Sequence, residues 1–244
     1  MEEDCYLCIW TRRFPVTPGM MINTPGMMTK TQGLKINKMK TIMYIHGMGG
    51  GSDSRIPSIL AEALPYKVVC RTYSFDPEVA EKQMALWVEE LKPDLIIGES
   101  LGCLHALRLS GVPKILISPA LNAPQYFEAL AWLTLVPGVT SIFNRIYKPR
   151  EGDRQPLHFT FRTLRKYRRH RKLAMKASHR NGGQDAVHAF IGTRDHYLRS
   201  AIVSTRTYKK HFGATCTLYD GSHFTEEEYI RSLVIPKIKE LLKG

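Results

Sequence analysis

The sequence predicts an α/β fold, a mostly parallel, doubly wound sheet with helices on both faces. Three observations carry this. From Thr41 to the end of the chain, short apolar runs alternate with longer stretches at helical spacing. The runs are apolar at consecutive positions, as strands buried on both faces must be. At 244 residues and 43% hydrophobic content, the chain is long enough to bury one large core.

Taken in order, residues 41–45 form the first strand and 54–64 the first helix. Residues 67–70 are a strand and 77–91 a helix. The run 95–98, bounded behind by Lys92-Pro93, is a strand, and 101–109 switch to helical spacing. Residues 114–118 are a strand, followed by helical spacing over 126–135. Strands at 186–191 and 215–219 flank a helix at 198–211. Residues 225–242 close the chain as a helix, with Thr225 as N-cap and Glu228 completing a capping box. Residues 140–184 carry no strand signal. They are expected to form a helical cap or lid over the carboxyl ends of the strands, where such sheets place their ligands.

The chemistry centres on Gly98-Glu99-Ser100-Leu101-Gly102, a serine between two glycines at a strand-to-helix switch. A tight corner there leaves no room for flanking side chains and lifts the hydroxyl clear of the backbone. A serine hydroxyl needs a base to act as a nucleophile at neutral pH. His223, in Asp220-Gly221-Ser222-His223-Phe224, follows the last strand run and so lies at the same edge of the sheet. An orienting acid is offered by Asp195, which directly follows the penultimate strand. Asp220 is a rival, too close in sequence to His223 to come from a separate strand end. Each of these residues also has a plain reading: a Gly/Ser loop, a surface histidine, a helix-capping aspartate. Their order and their placement after strands favour joint use.

After the first strand comes His46-Gly47-Met48-Gly49-Gly50-Gly51. Such a loop can bring peptide N–H groups against a substrate oxygen. The N–H groups of Met48 and Leu101 are the candidates for an oxyanion hole. The loop lacks the Gly-Lys-Ser/Thr ending of a phosphate loop and the spacing of a dinucleotide site.

Together, His46-Gly47, Gly98-Glu99-Ser100-Leu101-Gly102, Asp195 and Gly221-Ser222-His223 resemble the α/β-hydrolase superfamily, in particular its small bacterial serine esterase branch. The resemblance runs from about residue 41 to 242 with a gap at 140–184. It implies a serine hydrolase acting through an acyl-enzyme on a small ester or thioester, without cofactor or metal. It makes Ser100 the nucleophile, Asp195 the orienting acid, His223 the base, and Met48 and Leu101 the oxyanion donors. Gly47, Gly98 and Gly102 are then structural glycines of the site. The interval between first strand and serine is shorter than usual, so an edge hairpin is expected to be missing. The superfamily also includes members without catalysis. The alternative is therefore a silent binding module that uses a basic cap for an acidic partner, nucleic acid or a membrane surface.

The net charge of +13 is concentrated. Between Arg145 and Arg180 there are 13 Lys/Arg against Glu151 and Asp153. Leu164, Tyr167, Arg171 and Met175 fall at helical spacing, which also fits a solvated helix with one thin apolar edge. Arg165, Arg168, Arg169 and Arg171 are candidates for steering an anionic substrate. The stretch carries no nucleic-acid motif. Five irregularly spaced cysteines read as free thiols of a reducing, cytoplasmic setting, and Cys5-x-x-Cys8 lacks a second pair at zinc spacing. No stretch of eighteen apolar residues is present. Residues 1–38, rich in Pro, Gly and Met, are expected to be a disordered extension or a start-site artefact, leaving 39–244 as the folded domain.

Overall fold

The computed structural model describes residues 39–147, 151–180, 186–213 and 215–243, with backbone only at 177–180. The expectations for residues 1–38, including Cys5 and Cys8, fall outside it.

Six strands form one sheet: β1 (Thr41–Ile45), β2 (Lys67–Cys70), β3 (Leu95–Glu99), β4 (Lys114–Ile117), β5 (Val187–Gly192) and β6 (Cys216–Tyr219). Their order is β2-β1-β3-β4-β5-β6, and every pairing is parallel. There is no antiparallel edge hairpin among the described residues. Side chains alternate between two cores, as pleating requires. Ile42, Tyr44, Leu95, Ile97, Ile115 and Ile117 face one core; Met43, Ile45, Ile96, Leu116, Ala189 and Ile191 face the other.

The first core is closed by α1 (Arg55–Ala63) and the C-terminal segment. The second is covered by α2 (Pro77–Leu91), α3 (Gly102–Ala106), α4 (Ala123–Leu133), α6 (Phe161–Arg180) and α7 (Thr205–Phe212). Between α4 and α6 lies α5 (Val139–Ile146), with no buried residue. Local chemistry sets several boundaries. Pro77 opens α2 behind Asp76, whose carboxylate accepts from the Glu78 N–H, and Ser204 caps α7 through the Thr207 N–H.

Several boundaries differ from expectation. The helix expected at 198–211 is split into a 3₁₀ turn (His196–Leu198) and α7. Thr225 is not an N-cap: its hydroxyl hydrogen-bonds the Tyr219 hydroxyl at 2.7 Å, its φ is +23°, and Glu226 occupies the cap position. The capping box with Glu228 therefore does not form. The closing segment runs as α8 (Glu227–Tyr229), a π turn (Ile230–Val234) and α9 (Ile235–Leu242).

The helix that carries most of the charge in 140–184 is part of the layer covering the sheet, not a separate lid. Leu164, Tyr167, Ala174 and Met175 of α6 are buried in the same core as β1, β3 and β4. Tyr167 donates a hydrogen bond to the Phe75 carbonyl at 2.8 Å. The reason is the stripe itself: one apolar or polar-tipped position per turn is enough to dock a helix whose remaining surface is cationic.

Candidate active site

Ser100 sits at the corner between β3 and α3 with φ +50°, the left-handed region that side chains disfavour. Two backbone bonds hold this strained corner. The Ser100 N–H donates to the Ile117 carbonyl at 2.9 Å, and the Ala120 N–H donates to the Ser100 carbonyl at 3.1 Å. A Cβ on Gly98 would lie 2.8 Å from the Cys103 Cα, and one on Gly102 would lie 2.4 Å from the carbonyl oxygens of both Ile45 and His46. Strand β1, the corner and α3 thus meet backbone to backbone. Gly47 lies against the serine as well: its Cβ position is 3.1 Å from the Ser100 Cβ.

The structure brings the three dispersed polar residues together. His223 Nε2 is 2.9 Å from Ser100 Oγ, and His223 Nδ1 is 2.7 Å from Asp195 Oδ2. A carboxylate only accepts, so Nδ1 carries the proton toward Asp195 and leaves Nε2 free to accept from the serine hydroxyl. Asp195 and His223 are both buried. The other Asp195 oxygen accepts from the Tyr197 N–H at 2.8 Å, so the carboxylate is held on two sides. Asp220 is exposed and pairs with Arg194 at 2.9 Å, away from the imidazole.

These groups open on a cleft of about 700 Å³. Met48 and Leu101 border it beside Ser100; Ala120, Ala123, Phe127 and Ile202 supply an apolar wall. Arg165, Arg168, Arg169 and Arg171 do not line it. Arg168 pairs with Glu128 at 2.5 Å, and Arg171 donates to the Leu121 carbonyl and to Asn122 Oδ1, each at 2.7 Å. The cations at the cleft are Arg55 and Arg154. Arg55 holds the base loop by donating to the carbonyls of Phe224 and Thr225 at 2.7 and 2.5 Å.

Sequence reading missed several of these supports. Gln155 accepts from the Gly49 N–H at 3.1 Å and donates to the Tyr73 carbonyl at 3.1 Å, pinning the glycine-rich loop from 106 positions away. Tyr197 meets the His223 ring edge to face, centroids 4.7 Å apart. Glu99, inside the pentapeptide, accepts from the buried Tyr44 hydroxyl at 2.7 Å. Only Glu99 was marked by a motif; the others lack any local pattern.

Behind the loop lies a file of buried rings. His46 stacks on Tyr73 at 4.3 Å, Tyr73 meets His105 at 5.1 Å, and His105 meets His170 at 4.5 Å. Burial lowers His46 and His170 from 6.5 to about 4, and burial, with repulsion from His170 should that ring take up a proton, lowers His105 strongly. These imidazoles are neutral in the folded chain, while the unfolded chain takes up their protons below pH 6.5. Stability is therefore full above pH 6.5 and falls as pH drops toward about 4, by about 3 kcal/mol for each of His46 and His170. Urea unfolding across this range should show the midpoint falling steadily. A midpoint independent of pH would contradict the neutral, buried assignment.

No family model matches the chain, and no curated protein matches it in sequence. Solved structures do. The monoacylglycerol lipase of Paleococcus ferrophilus is 17% identical with a TM-score of 0.55, over 83% of this chain and 94% of that one. Est1E of Butyrivibrio proteoclasticus, solved with ferulic acid, is 17% identical with a TM-score of 0.58, over 85% and 91%. An epoxide hydrolase of Bacillus megaterium is 11% identical with a TM-score of 0.51, over 84% and 94%. The chain has the α/β-hydrolase fold. At these identities the likeness speaks for the fold, and the reactions named are not all the same.

Proposed function

We infer that the chain is a serine hydrolase that cleaves a small ester or thioester through an acyl-enzyme on Ser100. The observation that carries this reading is the continuous Asp195–His223–Ser100 hydrogen-bonded chain at the edge of an apolar-walled cleft. In this reading Ser100 Oγ attacks the substrate carbonyl carbon while His223 Nε2 takes the hydroxyl proton. The negative oxygen that forms is met by the N–H groups of Met48 and Leu101, each donor supplying about 3 kcal/mol. His223 then returns its proton to the leaving alcohol or thiol as the carbon–oxygen or carbon–sulfur bond breaks. Water repeats the sequence on the acyl group, with His223 again as base, and frees the acid. Asp195 holds the imidazole in the tautomer this needs and stabilises its positive charge. The apolar wall of Ala120, Ala123, Phe127 and Ile202 favours an uncharged acyl chain.

The competing reading is a binding module that has kept the fold and lost the chemistry. A fluorophosphonate probe separates the two. Covalent modification of the folded chain at Ser100, absent from Ser100→Ala, supports the hydrolase. A folded chain that resists the probe supports the module.

A further inference from the structure

The far end of α4, the turn after it and α5 expose Trp132, Leu133, Leu135, Val136, Ile142, Ile146 and Tyr147, each at least 43% exposed. The turn is closed by its own backbone: the Val139 N–H donates to the Val136 carbonyl at 3.2 Å, and the Ile142 N–H to the Gly138 carbonyl at 3.0 Å. The turn joining α4 to α5 is thus held, and this run of exposed apolar residues, here the apolar knuckle, is denser than isolated surface residues warrant. The surrounding charge is mainly positive. From residue 129 to 184 the only carboxylates are Glu151 and Asp153. Arg165 joins the two surfaces, with its guanidinium 5.8 Å from the Trp132 ring and 5.3 Å from the Phe161 ring. Arg162, Arg165 and Arg169 are exposed on α6, and Arg145 on α5.

We propose that this knuckle, with the cationic side of α6, docks on the surface of an anionic lipid bilayer. Aliphatic side chains with a Trp and a Tyr suit the boundary between acyl chains and headgroups, and flanking arginines suit anionic headgroups. A nucleic acid would meet mostly aliphatic side chains where stacking aromatics are needed. A second copy on the same face would bring Arg145, Arg162 and Arg165 of both chains together, a like-charge contact. Helix α4 carries Ala123 and Phe127 in the cleft at one end and Trp132 and Leu133 at the other. The proposal goes beyond the reading of the cleft and does not need Ser100 to react.

Co-sedimentation of the full chain with phosphatidylcholine vesicles, with and without phosphatidylglycerol, tests it. The chain should bind the phosphatidylglycerol vesicles, bind neutral ones weakly, and let go as salt rises. Ser100→Ala should bind as the unaltered chain does. Arg162→Glu with Arg165→Glu should lower partitioning by about fivefold or more for each site. Leu133→Ser with Ile142→Ser and Ile146→Ser should lower it at least as far. Both variants should keep turnover of a water-soluble short-chain ester, and far-ultraviolet circular dichroism reports their folding independently. No binding to phosphatidylglycerol vesicles overturns the proposal, as does binding that neither variant weakens. A dimer that the serine variant disperses, without vesicle binding, would assign the face to a second copy and overturn it too.

Discussion

On the proposed reading, replacing Ser100 with alanine should lower turnover of a small ester by roughly 10⁴-fold or more, with the folded state retained. The substitution removes one hydroxyl and leaves the φ of +50° as strained as before, so urea unfolding changes little. The loss would be large because, in the proposed mechanism, the hydroxyl at the end of the Asp195–His223 chain forms the covalent bond to the acyl carbon. Turnover near that of the unaltered chain would remove Ser100 from the mechanism. A companion change separates strain from chemistry. Ser100→Gly accepts the left-handed corner without penalty, so it should be about 1 kcal/mol more stable than Ser100→Ala and equally inactive.

Gly102→Ala should damage stability and activity together. In an exposed helix the change to alanine favours folding by about 1 kcal/mol. Here the new methyl would stand 2.4 Å from two backbone carbonyl oxygens, those of Ile45 and His46, which no rotamer change can move. Overpacking against backbone costs about 3 kcal/mol or more and outweighs the helix gain. Relief would come from β1 and α3 moving apart, which displaces the Met48 and Leu101 N–H groups from each other. Unfolding and turnover measured on the same sample check this. A variant as stable and as active as the parent would show that the β1–α3 contact is looser than described.

The strands were the most legible part of the sequence. Runs such as Leu95-Ile96-Ile97 are apolar on consecutive residues because both faces of the sheet are covered, and burial on both faces leaves no polar alternative. That Ser100, Asp195 and His223 meet was legible because each lies just beyond a strand, where a parallel sheet gathers its loops. Helix α6 was read less well. Its many bases suggested a lid, whereas Leu164, Tyr167, Ala174 and Met175 are enough to bury one side of it. Charge counts record the face toward water and say little about a narrow stripe toward the core. Thr225 misled for a different reason. Its residue type suits an N-cap, but a partner six positions earlier, the Tyr219 hydroxyl, takes its hydrogen bond. Gln155, which steadies the glycine-rich loop, had no local signal at all, because its partners Gly49 and Tyr73 are distant in sequence.

The proposed acyl-enzyme on Ser100 can be trapped. The chain is mixed briefly with an activated short-chain ester, quenched in acid, digested, and its peptides weighed. The expected result is the acyl group on the peptide containing Ser100, appearing before steady turnover and absent from Ser100→Ala. Rapid ester turnover with no acyl group on Ser100, or with the acyl group on another side chain, would contradict it.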